Sequence, residues 1–295
     1  MRTRIDLNRV SFFCVADKNY LDPAYVTLSS YFDYNTHPVT LYVFDTVEED
    51  LVRFKKFDKL TIVKLDSIPF PHKPSYDYYK YTINFISAKI RIFDLLKGSY
   101  DYAVCFDIDT IFKGTIEDLF DDFDDSGDLY GVQELWLDVV PSEFRGYRSL
   151  PYFNVGLIIV KLDYPDKLID EYISFLNKYY TSYPEQDFLN YYFKNRIEIP
   201  VKYNWLINNY DLIDDIRFVH FCSVNKPFNM YRIELNALIM HRFKYITMFE
   251  YYYNYIKDLE LSDKFLNACA KMNKRINLLR SMHKRIEDEA KSQIQ

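Results

Sequence analysis

Tyr102-Ala103-Val104-Cys105-Phe106-Asp107-Ile108-Asp109-Thr110-Ile111 is an apolar run that ends in two carboxylates, two residues apart. Its first half has the length and composition of a strand. In extended chain, residues i and i+2 point to one side. Asp107 and Asp109 can therefore aim at one ion, whereas two such carboxylates without a counter-cation would repel and raise one pKa. Hard oxygen ligands suit magnesium or manganese, which keep water positions open for substrate phosphates. A strand running out into a solvated acidic turn accounts for the same ten residues, so the surroundings must decide.

Upstream, short apolar runs alternate with helix-period segments, the pattern of βαβ units in a largely parallel sheet. Residues 10–16 read as a first strand, and Asp22-Pro23 supplies an N-cap and a first-turn proline for a helix to about Phe32. Residues 40–44 and 60–65 read as strands with a helix over 48–57 between them, and 66–80, which holds three prolines, as a loop. Over 82–96 the apolar positions Ile83, Phe85, Ile86, Ile90, Ile92, Phe93 and Leu96 cover more than one face. That predicts a helix buried beside the 102–106 strand. Lys89 lies on its Phe85, Ile92, Leu96 stripe, where a lysine either snorkels to water or serves a buried anion.

Downstream, the acidic run 121–125 with Asp128 reads as a solvated loop, 154–162 as a strand and 166–180 as an amphipathic helix. Residues 216–219 read as another strand, after which the chain turns helical. The expected fold class is α/β: a mixed, mainly parallel sheet flanked by helices, with a C-terminal helical extension. Residues 1–245 are expected to form the catalytic unit and 246–295 the extension.

The 295 residues, 49% of them hydrophobic, suffice for one large core. A net charge of -6 and a pI near 5.5 argue against a general nucleic-acid binder, which needs a basic surface. Any phosphate must then be met by local groups. No apolar run reaches the roughly 20 residues of a membrane helix, and the stretch after Arg2 and Arg4 reads as a strand, not a signal peptide. The four cysteines, at 14, 105, 222 and 269, are scattered and mostly inside apolar runs, which fits buried free thiols and a reducing, cytoplasmic setting. With 29 Tyr and 24 Phe against 6 Gly the chain is compositionally biased, so single tyrosines carry little meaning. In the last segment Phe265, Cys269, Met272, Ile276 and Leu279 form the seam of a helix packed on the body or on a second copy, giving a possible homodimer. Lys271, Lys274, Arg275, Arg280, Lys284 and Arg285 crowd that helix, as a solvated face or one drawn to an anionic membrane surface.

Further polar segments belong where an α/β sheet places its ligand site, at the carboxyl ends of strands. These are Ala16-Asp17-Lys18-Asn19-Tyr20, Tyr152-Phe153-Asn154-Val155-Gly156, Glu185-Gln186-Asp187-Phe188-Leu189-Asn190 and His220-Phe221-Cys222-Ser223-Val224-Asn225-Lys226-Pro227-Phe228. A neutral imidazole can complete a metal site begun by two carboxylates, and a lysine six residues on, Lys226, can reach an anion bound there. With Asp107-Ile108-Asp109, these segments resemble, in order over roughly residues 9–230, the retaining glycosyltransferases of family eight. That family has a GT-A fold and includes glycogenin and bacterial galactosyltransferases.

The resemblance implies a UDP-sugar donor, a hydroxyl acceptor and manganese or magnesium held by Asp107, Asp109 and His220. Ala16, Asp17 and Tyr20 would contact base and ribose, and Ile108 would lie within the donor-binding motif. Lys89 would touch donor phosphate or sugar, Asn154 and Glu185 the sugar, and Ser223 and Lys226 the diphosphate. Gln186 and Asp187 would stand at the reacting anomeric carbon. Four positions depart from the family pattern: Val155 for a small residue, Glu185 for aspartate, Ser223 for glycine and Phe228 for tryptophan. Two alternatives stay open, a haloacid-dehalogenase-type magnesium phosphohydrolase, whose nucleophile motif is also D-x-D, and a catalytically weakened nucleotide-sugar-binding protein.

Overall fold

The structure, a computed structural model, describes residues 2–66, 83–135, 151–165, 167–179, 183–207, 213–222, 226–228 and 244–294. The strands are β1 (Arg2–Thr3), β2 (Val10–Asp17), β3 (Val39–Phe44), β4 (Leu60–Lys64), β5 (Tyr102–Phe106), β6 (Thr110–Phe112), β7 (Phe123–Asp124), β8 (Leu129–Gln133), β9 (Phe153–Lys161), β10 (Arg196–Glu198), β11 (Trp205–Leu206) and β12 (Phe218–His220). The α-helices are α1 (Leu21–Tyr34), α2 (Glu48–Leu51), α3 (Ile83–Leu96), α4 (Leu168–Lys178), α5 (Pro184–Tyr192), α6 (Lys244–Tyr255) and α7 (Asp263–Ile294).

Seven strands form one sheet in the order β10-β8-β9-β5-β2-β3-β4. All neighbours are parallel except at β9, which runs against both β5 and β8. The inner strands β2, β3, β5, β8 and β9 are buried on both faces, which explains their near-continuous apolar runs. Along β2, Val10, Phe12, Cys14 and Ala16 join a cluster under α1, while Phe13 and Val15 join one under α3, α4 and α5. A smaller sheet, β11-β12-β6, shares a third cluster with α6 and α7. Because β9 is reversed, its first residues lie at the same edge where β2 and β5 end.

Several expectations need correction. Helix α1 starts at Leu21 with Tyr20 at the N-cap, not at an Asp22 cap. The Asp17 carboxylate accepts from the Asn19 N–H and the Asp17 carbonyl from the Tyr20 N–H, so this turn launches the helix directly. Asp22 instead pairs with Arg53 at 2.5 Å and accepts from Ser262. The 48–57 helix is one α turn followed by a 3-10 segment, Val52–Lys56, whose tighter winding sets Phe54 and Phe57 against the ring of Tyr25. Within the acidic run, Phe123 and Asp124 pair with Arg2 and Thr3. The last strand is shifted to Phe218–His220, so His220 is paired with Thr110 and is not in a loop.

The C-terminal seam packs back on the body: Phe265, Cys269, Met272 and Ile276 are buried in the cluster of Met248, Phe249, Tyr252 and Tyr253. Lys271, Lys274, Arg275, Arg280 and Arg285 are exposed. The four cysteines are free and buried. No helix among the described residues is long and apolar enough to cross a membrane. Most of the proline-containing 66–80 loop, and Ser223, lie outside the described residues.

Candidate metal and donor site

Strand β5 ends at Phe106, and Asp107-Ile108-Asp109 forms the link to β6. The turn is held from several sides. The Asp107 N–H donates to Gly156 of β9 at 2.8 Å and the Asp109 carbonyl accepts from Phe221 at 3.0 Å. From α1, the Thr27 hydroxyl lies 2.9 Å from both the Ile108 and Thr110 carbonyls. Ile108 points into the core beneath α1, so the two flanking carboxylates turn the other way, toward β12. Ile108 and the fully buried Ala16 can thus offer a ligand only backbone groups.

Three donor atoms, one each from Asp107, Asp109 and His220, lie within 4.8 Å of one another. His220 Nε2 is 3.6 Å from Asp107 Oδ2 and 3.4 Å from Asp109 Oδ1. Adjacent ligands of an octahedral ion with bonds of about 2.1 Å stand about 3 Å apart, so the imidazole already stands close to ligand spacing from each carboxylate. An imidazole with two carboxylates is also the donor set such an ion takes.

Lys89 does not snorkel. It is buried, with Nζ 2.5 Å from Asp107 Oδ1 and 2.6 Å from Glu185 Oε1. Burial alone would lower its pKa, but the fields of Asp107 and Glu185 outweigh it and hold the ammonium charged. Lys226 stands 2.5 Å from Asp109 Oδ2. Burial would raise the Asp109 carboxyl, yet the Lys226 ammonium, with His220 acting in the same direction, holds it well below the usual carboxylate range. For Glu185 burial wins: with the field of Asp107 added, its carboxyl is raised despite Lys89, and Oε2 has no hydrogen-bond partner among the described residues.

The residues expected at the sugar are linked to one another. Asn154 Nδ2 donates to Glu134 at 3.0 Å, and Asn154 Oδ1 accepts from the Gly156 N–H at 2.8 Å. The Val155 N–H donates to Gln186 Oε1 at 3.2 Å. Tyr152 donates its hydroxyl to Asp187, while Asn190 accepts from the Phe153 N–H at 2.7 Å. Burial and the adjoining Asp187 push the Tyr152 phenol well above its ordinary value, so it remains a donor. Gly156 has a steric reason: a Cβ there would stand 2.0 Å from His220 Nδ1. Asp17 and Tyr20 lie at the end of β2, and the Tyr20 ring meets Phe228 edge-on with centroids 6.2 Å apart.

Nearly all the expected site residues thus fall on one edge of the fold. The motifs did not assign roles to Thr27, Glu134, Tyr152 or Asn204, which act by supporting others. Helix α5 was not placed by the sequence reading, although Pro184 in its first turn is a signal that fits a helix start.

The family model described as glycosyl transferase family 8 matches residues 11–230. Among solved structures, the galactosyltransferase LgtC in complex with donor and acceptor sugar analogs is similar at a TM-score of 0.65 and 13% identity, over 88% of this chain and 99% of that one. The glycosyltransferase GlyE of Streptococcus pneumoniae TIGR4 gives 0.60 and 16%, over 92% of this chain and 64% of its own. Mouse xyloside xylosyltransferase 1 gives 0.54 and 14%, over 72% and 97%. At such identities the likeness establishes the fold, the GT-A arrangement of a mainly parallel sheet flanked by helices. No curated protein matches the chain by sequence.

Proposed function

The chain belongs to glycosyl transferase family 8, and from that premise we propose that it is a metal-dependent, retaining transferase moving a hexose, glucose or galactose, from a UDP-sugar to a hydroxyl acceptor. One observation carries the reading: Asp107, Asp109 and His220 converge, and a lysine flanks each carboxylate. Asp107, Asp109 and His220 would hold manganese or magnesium, which would supply positive charge to the leaving diphosphate. Lys89 and Lys226 are the chain's own cations for the same oxygens, already fixed in place by their ion pairs.

Asp17 and Tyr20 offer a carboxylate oxygen and a ring to the uridine, and Ala16 and Ile108 their backbone. Ser223 takes its donor-binding role from its place in the motif. Asn154 and Glu185 face the sugar, with Val155 narrowing the pocket. Gln186 and Asp187 are tethered by Val155 and Tyr152 before any substrate arrives, which suits them to position an oxocarbenium-like sugar. The acceptor hydroxyl attacks on the face that UDP vacates, and its proton passes to a phosphate oxygen, so configuration is retained. We take residues 1–245 as the catalytic unit and 246–295 as its helical extension. The buried free thiols support a reducing, cytosolic setting.

Purified protein incubated with manganese and a panel of UDP-sugars should release UDP with one of them, and mass spectrometry would identify the product. Asp109→Asn should abolish metal-dependent release with an unchanged far-UV spectrum; undiminished turnover would refute the assignment. Phosphate release from p-nitrophenyl phosphate with magnesium and no nucleotide-sugar would instead favour the phosphohydrolase.

A further inference from the structure

We infer that Asn204 is a positioning residue for His220, acting through Asn154, so that a buried chain of two amides decides which imidazole nitrogen faces Asp107 and Asp109. The inference rests on the metal site proposed above and adds a residue to which none of the sequence motifs assigns a role.

The orientation of the Asn154 amide can be fixed without reference to the histidine. The Gly156 N–H can only donate, and it meets Asn154 Oδ1 at 2.8 Å. The Glu134 carboxylate accepts, and it meets Asn154 Nδ2 at 3.0 Å. Oδ1 is therefore the atom 3.0 Å from His220 Nδ1. Two acceptors do not hold such a distance, so Nδ1 carries a proton. In the neutral ring the lone pair then sits on Nε2, the nitrogen that faces both carboxylates.

Asn204 completes the arrangement. It is fully buried, and its Nδ2 donates to the same Asn154 Oδ1 at 3.2 Å. Its own Oδ1 has no hydrogen-bond partner among the described residues. A buried amide carbonyl left unpaired is unfavourable, yet the flipped amide would set oxygen against oxygen at Asn154. The unpaired carbonyl is thus the consequence of pointing the NH2 group at Asn154. Asn204 is itself anchored, with its N–H bonded to the Val201 carbonyl at 3.1 Å. It directly precedes β11, whose Leu206 is the register partner of His220. Groups beyond the ligands that orient a metal-bound histidine in this way typically change metal affinity by roughly 10- to 100-fold when removed.

Manganese affinity, measured without nucleotide by the electron paramagnetic resonance signal of free Mn2+, tests this on the full chain. Asn204→Ala and Asn204→Asp should bind roughly 10- to 100-fold more weakly than wild type. Phe54→Leu, in the cluster beneath α1 where its ring packs on Tyr25, should lower the melting temperature and leave manganese affinity unchanged. A second measurement needs no Asn204 variant. Long-range 1H–15N spectra of histidine-labelled wild-type protein, with His220 assigned by comparison with His220→Gln, should show the Nδ1–H tautomer. Wild-type manganese affinity in both Asn204 variants, or an Nε2–H tautomer at His220, would overturn the inference. If wild-type protein binds no manganese at all, it is the metal reading that fails, and the tautomer spectrum still decides the amide chain.

Discussion

Replacing Gly156 by alanine tests the metal site by geometry alone. A Cβ built there lies 2.0 Å from His220 Nδ1, 2.2 Å from Cε1 and 2.8 Å from Cγ. Ordinary contact is about 3.5 Å, so the ring must retreat by about 1.5 Å. It has nowhere free to go: His220 is buried, held at Nδ1 by Asn154 and faced at Nε2 by two carboxylates. Overpacking of this kind costs about 1–3 kcal/mol, and the rigidity of an imidazole puts Gly156→Ala toward the upper part of that range. For a domain of this size that corresponds to a melting temperature lower by about 3–6 °C. The displacement of His220 should also abolish manganese binding in the range where wild type saturates. Differential scanning calorimetry and a manganese titration read the two effects separately. A variant that melts with wild type and binds manganese equally well would refute the steric and ligand roles together.

Thr27→Val keeps the side-chain shape and removes the hydroxyl beneath the Asp107-Ile108-Asp109 turn; the site is fully buried, so urea unfolding should show a loss of about 1–3 kcal/mol. His37 should make stability fall on acidification. Burial holds its pKa below the ordinary 6.5, against the opposing pull of the Val10 carbonyl and Glu117, with Lys59 lowering it further. The unfolded chain therefore takes up the proton first, and stability is lost as the pH drops from about 6.5 through the folded-state value; denaturation midpoints of His37→Gln should be flatter across that window. The native protein should resist thiol reagents near neutral pH and react at four thiols once unfolded, since all four cysteines are buried. Burial raises the Cys14 and Cys105 thiols strongly and pushes that of Cys269 up to about 12.

Much of this was legible in the sequence because the signals were long or chemically distinctive. Strands β2, β3, β5 and β9 are apolar runs bounded by polar turns, and the structure places them within a residue or so of their expected ends. Asp107, Asp109 and His220 announced themselves by residue type and order. Strands β1, β6, β7, β8, β10 and β11 were missed: all but β8 span only two or three residues and have no period to read. The supporting residues were illegible for a different reason. Nothing in the chain near Thr27, Glu134 or Asn204 hints at a site, because each gains its role from a partner 20 to 83 positions away. Lys89 lay between the two cases, with its stripe visible and its two carboxylate partners supplied only by the fold.

The reach of these contacts along the chain has a consequence for how the protein matures. Lys89 meets Glu185 across 96 positions, and His220 meets Asn154 across 66. Such non-local pairings form late, after the loops between them have closed. A ribosome-bound chain halted before Lys226 lacks one of the two lysines, and a fragment must span at least residues 89–226 to carry both lysines with the three converging ligands. Manganese affinity then serves as a clock for refolding: it should appear in step with the final phase of native fluorescence recovery and never ahead of it.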